Sequence, residues 1–220
     1  MPTKPLTVVF CLPGNSFSGK FLECWSELLA WCFSHGITPI LSRRYSCNIY
    51  FARNMCLGAD LRRGEHQKPF DGKIDYDYLM WIDSDILFTP AHFEHLLSHN
   101  ADIVSGIYLM EGGEAFATVR DWDEEYFKAH GCFQFLTPAD IAGKQGLMEV
   151  AYTGMGFMMV KRGVFEALDY PWFRPLERRI GAMVDFTMED VGFCLRVMEK
   201  GFKVLVDPEV RVGHEKRVVL

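Results

Sequence analysis

Residues 78–82, Tyr-Leu-Met-Trp-Ile, form an unbroken apolar run that passes directly into Asp83-Ser84-Asp85. A short run of this kind, closed by polar residues, fits a strand buried on both faces, as the inner strands of a parallel sheet are. Two carboxylates therefore arrive where the chain leaves the core. Buried charge is costly unless it is paired or bound to a cation. A divalent metal such as Mg²⁺ or Mn²⁺ supplies such a cation, because carboxylate oxygens are the hard ligands these ions prefer. The competing reading is a turn and cap before Thr89-Pro90, since Asp is a common turn former. The surrounding chain has to decide between the two.

The flanking segments alternate in type. Residues 7–12 are β-branched and apolar and close in Pro13-Gly14-Asn15, a strand followed by a loop. Phe21, Trp25, Leu28, Leu29 and Cys32 then recur at helical spacing up to a capping Gly36. Residues 38–41 read as a second strand and 53–61 as a second helix, with a polar loop running to Asp77. After the acidic pair, Thr89 and Pro90 open a helix to about residue 100, and 103–109 form another strand. Strands and helices in this order predict an α/β layer with a largely parallel sheet. Residues 115–146 read as loop-rich. Strands are expected at 149–153 and 157–161, a short helix at 162–168, a loop at 170–179, an amphipathic helix at 189–200, and strands at 203–206 and 210–213 before His214. Without repeat or linker, 1–220 is expected to be one domain.

Composition narrows the function classes. The chain of 220 residues is 49% hydrophobic and 14% aromatic, ample for a core. A formal charge of −6, with no basic run beyond pairs such as Arg43-Arg44, argues against a nucleic-acid surface. No apolar stretch reaches membrane-spanning length and no signal-peptide pattern is visible, so a soluble cytoplasmic protein is expected. Its seven cysteines lack a paired framework and read as reduced core thiols. The loop after the first strand lacks both GxGxxG and GxxxxGK[ST], which disfavours a Rossmann dinucleotide site and a P-loop ATPase.

Several residues share the expected carboxyl edge of the sheet, where ligands of open α/β sheets bind. They are Pro13, Gly14 and Asn15 after the first strand, and the acidic pair itself. Glu189-Asp190 opens a helix, as a dipole partner or as a general base near that edge. His214 ends a strand, as a structural imidazole or a metal ligand. Gly154-Met155-Gly156 joins two strands, as a tight bend or a close approach to a ligand.

Taken in order, Pro13-Gly14-Asn15, Ala52-Arg53-Asn54, Leu79 to Asp85, Thr153-Gly154-Met155-Gly156, Glu189-Asp190-Val191-Gly192-Phe193-Cys194 and Val212-Gly213-His214-Glu215 resemble a small inverting GT-A glycosyltransferase. The likeness runs from about Thr7 to His214. It extends to small soluble members encoded by viruses, phages and bacteria. It implies a GT-A fold, with a mixed, mostly parallel central sheet flanked by helices. It also implies transfer of a sugar from a nucleoside-diphosphate donor, UDP favoured, to a hydroxyl of a glycan. Asp83, Asp85 and His214 would hold Mn²⁺ or Mg²⁺. Pro13, Gly14, Asn15, Arg53, Asn54, Asp83 and Ser84 would line the nucleotide. Gly154 and Gly156 would let backbone approach the sugar or acceptor, Asp190 would be the general base, and Glu189 would neighbour the acceptor. The Gly192-Phe193-Cys194 sequence replaces the acceptor motif of processive synthases. Two alternatives stay open: a sugar-nucleotide nucleotidyltransferase, and a catalytically idle sugar- or nucleotide-binding module. A haloacid-type phosphatase is disfavoured, because its acidic pair follows the first strand.

Overall fold

A computed structural model describes residues 5–216. The chain folds, in order, as β1 (Thr7–Pro13), α1 (Gly19–Ser34), β2 (Thr38–Arg44), α2 (Ile49–Cys56), β3 (Tyr78–Ile82), β4 (Ile86–Leu87), α3 (Pro90–Ser98) and β5 (Ile103–Ile107). Then follow β6 (Thr118–Val119), α4 (Glu124–His130), β7 (Met148–Glu149), β8 (Tyr152–Thr153) and β9 (Phe157–Lys161). The chain continues as β10 (Glu177–Ile180), β11 (Met183–Phe186), α5 (Glu189–Glu199), β12 (Leu205–Arg211) and β13 (Gly213–His214).

Seven strands make the central sheet in the order β2-β1-β3-β9-β5-β12-β7. β1 pairs parallel with β2 and β3, and β5 pairs parallel with β12. β9 runs antiparallel between β3 and β5, and β7 runs antiparallel on the β12 edge. The sheet is thus mixed and mainly parallel, as expected. The carboxyl ends of β1, β3 and β12 consequently share one edge, and they deliver Pro13, Asp83 and the segment leading to His214.

Period-two alternation builds the core on both faces. From β1, Val8, Phe10 and Leu12 point to one side with Phe21, Leu28 and Cys32 of α1 and Phe93 and Leu96 of α3. Val9 and Cys11 point to the other, with Trp81 and the aromatic set Phe165, Phe173 and Phe193. Trp81 sits 5.3 Å from Phe173, edge to face, an arrangement aromatic pairs favour.

Several elements depart from expectation. α2 starts at Ile49 rather than 53, because the Asn48 side chain accepts the Tyr50 N–H and caps the helix there. The helix expected at 162–168 shrinks to one 3₁₀ turn, Phe165–Ala167. The region 115–146 contains α4, and the expected loop at 170–179 runs into a β10–β11 hairpin. The two final strand runs are one strand, β12, with a register shift between Val206 and Arg211. Of the cysteines, Cys11, Cys32, Cys56 and Cys194 are buried thiols, whereas Cys47 and Cys132 are exposed. No described helix is long and apolar enough to cross a membrane.

Candidate active site

Arg53 organises the sheet edge. Its guanidinium is 2% exposed and meets Asp83 through two N–O approaches of 3.0 Å each. Its Nε donates to Glu189 Oε1 at 3.1 Å. The guanidinium also lies 5.5 Å from the Trp81 ring, within cation–π range. One buried cation therefore ties α2 to the end of β3 and to the start of α5. Asp83 and Glu189 further hold the Arg53 charge in place, against the opposing effect of burial.

Both oxygens of Asp83 face Arg53, so this carboxylate sits in an ion pair at the end of β3. Glu189 is buried and also turned to Arg53, so it braces the helix start and does not reach outward. Asn54 is spent in the same way. Its amide donates to the Tyr50 and Phe173 carbonyls at 2.8 and 2.7 Å. These three placements share a cause. Polar groups inside the core must satisfy one another before they can serve a ligand.

Asp85 points elsewhere. Its Oδ2 lies 3.1 Å from His214 Nε2 and 3.0 Å from Lys216 Nζ. β13 pairs antiparallel with β4, and the Glu215 N–H donates to the Asp85 carbonyl at 2.7 Å, so the carboxyl-terminal segment is stitched to the acidic turn. Burial opposes ionisation of Asp85, but the hydrogen bonds from His214 and Lys216 prevail and lower it to about 2. The bond to Asp85 correspondingly raises His214, although burial works the other way.

His214 Nδ1 lies 2.7 Å from the Leu109 carbonyl and must carry a hydrogen to bond it. In the neutral ring the Nε2 lone pair then faces Asp85, an orientation suited to a cation between them. The Lys216 ammonium, on the same carboxylate oxygen, shows that positive charge is accommodated there. Carboxylate plus imidazole fits Mn²⁺, and an ion held by few protein ligands can take its remaining oxygens from phosphates and water.

Backbone close to the acidic turn is tightly fitted. A Cβ on Gly14 would come within 2.8 Å of Ser84 Cβ, so only glycine lets the 13–15 loop lie on the turn. Pro13 is buried at the end of β1, while Asn15 is exposed beside it. Gly154 and Gly156 are buried against Tyr108. The Gly156 N–H donates to its hydroxyl at 3.2 Å, and a Cβ at either glycine would run into its ring. The space they free holds the Tyr108 side chain. Nothing in the sequence spacing linked residues 108, 154 and 156.

Asp190 is half-buried at the start of α5. Burial raises its carboxyl to about 7, the Glu189 charge adds to this, and the Val191 N–H and Arg53 oppose it. A carboxylate of that basicity can take a proton near neutral pH. Its chain neighbours Met188 and Val191 line an aromatic groove of about 160 Å³, together with Trp122, Phe133, Tyr152 and Phe186. Phe186 and Met188 form an exposed lip. The sequence reading missed this groove, because its walls come from four separate segments.

No protein-family model matches the chain, and no curated protein matches it. Among solved structures it is similar to the crystal structure of A197 from STIV, at 17% identity and a TM-score of 0.51, covering 98% of this chain and 96% of that one. It is also similar to GalNAc-T7 solved with UDP, GalNAc and Mn²⁺, at 13% identity and a TM-score of 0.54, covering 99% of this chain but 45% of that one. The architecture is a GT-A-like fold.

Proposed function

We propose that this chain is a single-domain, metal-dependent inverting glycosyltransferase that moves a sugar from a nucleoside-diphosphate donor, UDP favoured, to a glycan hydroxyl. The observation that carries the reading is the Arg53 clamp on Asp83 and Glu189. It brings the acidic turn and the start of α5 to the carboxyl edge of the sheet, where α/β folds bind ligands. The likeness in fold to GalNAc-T7, whose structure holds UDP and Mn²⁺, supports the same reading.

Asp85 and His214 would hold the ion, which when bound supplies Lewis-acid neutralisation of the diphosphate. Asn15, Ser84 and the backbone of Gly14 border the donor side. The aromatic groove receives the acceptor, whose sugar faces stack on rings such as Trp122. Asp190 accepts the proton from the attacking hydroxyl at Oδ1 or Oδ2, and Arg53 holds Asp83 and Glu189 in place around it. A single in-line displacement, with one base and no second nucleophile, gives inversion.

The test is calorimetric titration of UDP into the protein with and without Mn²⁺. Binding is expected to require the ion and to vanish in Asp85→Ala. Metal-independent binding of equal strength would sink the proposed donor site.

A further inference from the structure

His95 on α3 and His99, the residue that caps its carboxyl end, stand one helical turn apart, so both imidazoles project from one face. That face packs on β12, whose irregular stretch carries Asp207, with a side chain that is 0% exposed. His99 Nε2 lies 2.7 Å and His95 Nε2 3.3 Å from the same oxygen, Asp207 Oδ2. The other oxygen accepts the Glu209 N–H at 2.8 Å. Among the described residues, the ion-pair partners of this carboxylate are the two imidazoles. A buried carboxylate needs a compensating positive charge. Two neutral rings provide only dipoles.

We propose that His95, His99 and Asp207 form a second cation site, specific for zinc or a similar borderline metal and distinct from the oxygen-rich site at Asp85. The three ligand atoms already lie within 4.8 Å of one another. Metal–ligand bonds of ~2.0–2.1 Å set the edges of a tetrahedron at about 3.3 Å, which these atoms reach by shifts of less than about an ångström. Two imidazoles and one carboxylate suit zinc better than Mg²⁺, which favours all-oxygen shells. The His95 side chain is 43% exposed, so water can take the fourth position.

The placement gives the ion a structural task. α3 follows directly on β4 and the acidic turn, while β12 leads directly into β13 and His214. A metal joining α3 to β12 would fix the two segments that carry Asp85 and His214. The site does not depend on the chain being a glycosyltransferase.

The test uses the full chain, stripped with a chelator and titrated separately with Zn²⁺ and Co²⁺. It is run in the wild type and in Asp85→Ala, so that the Asp85 site cannot answer for the new one. One equivalent of Co²⁺ is expected to give the intense visible bands of a tetrahedral centre in both proteins. Zn²⁺ should displace it and raise the melting temperature. His95→Gln, at a partly exposed position compatible with folding, and His99→Gln should each weaken Zn²⁺ binding at least tenfold. Two outcomes overturn the proposal. One is bands that persist in both histidine variants. The other is wild-type protein that neither develops bands with Co²⁺ nor gains stability with Zn²⁺.

Discussion

Asp190 carries its charge only part of the time near neutral pH, and that sets two opposite trends. Burial and Glu189 raise its carboxyl to about 7, whereas an unfolded aspartate ionises near 3.9. As a base it acts only when deprotonated, so kcat/KM is expected to rise through about pH 7 and then level off. A flat profile from about pH 5 to 8 would remove it from that role. Stability runs the other way. Between about pH 4 and 7 the folded chain binds a proton that the unfolded chain has lost, so this residue's contribution falls as pH rises. Asp190→Asn should therefore lower transfer by ~10²–10⁴-fold while raising the melting temperature at pH 8. At the same scale, Gly154 is fixed by its neighbour. An alanine Cβ would lie 2.9 Å from Tyr108 Cζ and closer still to its hydroxyl. Gly154→Ala should cost ~1–3 kcal/mol in urea denaturation, and less in a Tyr108→Phe background, since the two residues share one space.

At the scale of elements, α2, β3 and α5 meet through one side chain. Arg53→Met would leave Glu189 buried and Asp83 half-buried without their cation. Breaking such a pair from one side costs about 3–5 kcal/mol. The lower end is expected here, because the Asp83 side chain keeps 26% of its surface in water. The urea midpoint should fall with an unchanged slope. An unshifted midpoint would mean that the clamp holds nothing together. The boundaries of these elements were only partly legible. The apolar run at 78–82 and the Thr89-Pro90 start of α3 stand where periodicity and capping put them. α2 begins four residues early because Asn48 caps it, and the β10–β11 hairpin was hidden in a segment of charges without alternation.

For the whole molecule, the sheet edge separates two half-sites. In the proposed function, Asp85 and His214 serve the donor, and the aromatic groove with its lip of Phe186 and Met188 serves the acceptor. The lip side chains are 63% and 61% exposed, so the fold does not need them. Phe186→Ser with Met188→Ser should leave the melting temperature and donor hydrolysis unchanged. Losing a buried apolar contact of ~1.5–3 kcal/mol should raise the acceptor KM roughly tenfold or more. Equal KM values would place the acceptor elsewhere.

The alternation of strands and helices up to residue 109, the mainly parallel sheet and the acidic turn at its carboxyl edge were determined by the sequence itself. Local periodicity and capping act over a few residues, and nothing distant has to be known to read them. The division of labour among the polar residues was decided only in three dimensions. Asp83 and Asp85 are two positions apart and look equivalent on paper. Yet one faces a buried arginine thirty positions upstream, and the other faces an imidazole and an ammonium near the end of the chain. A buried charge takes its partner from whatever the fold packs beside it. The acidic pair was therefore visible in the sequence, but the split between an Asp83 that faces Arg53 and an Asp85 that faces His214 and Lys216 was not.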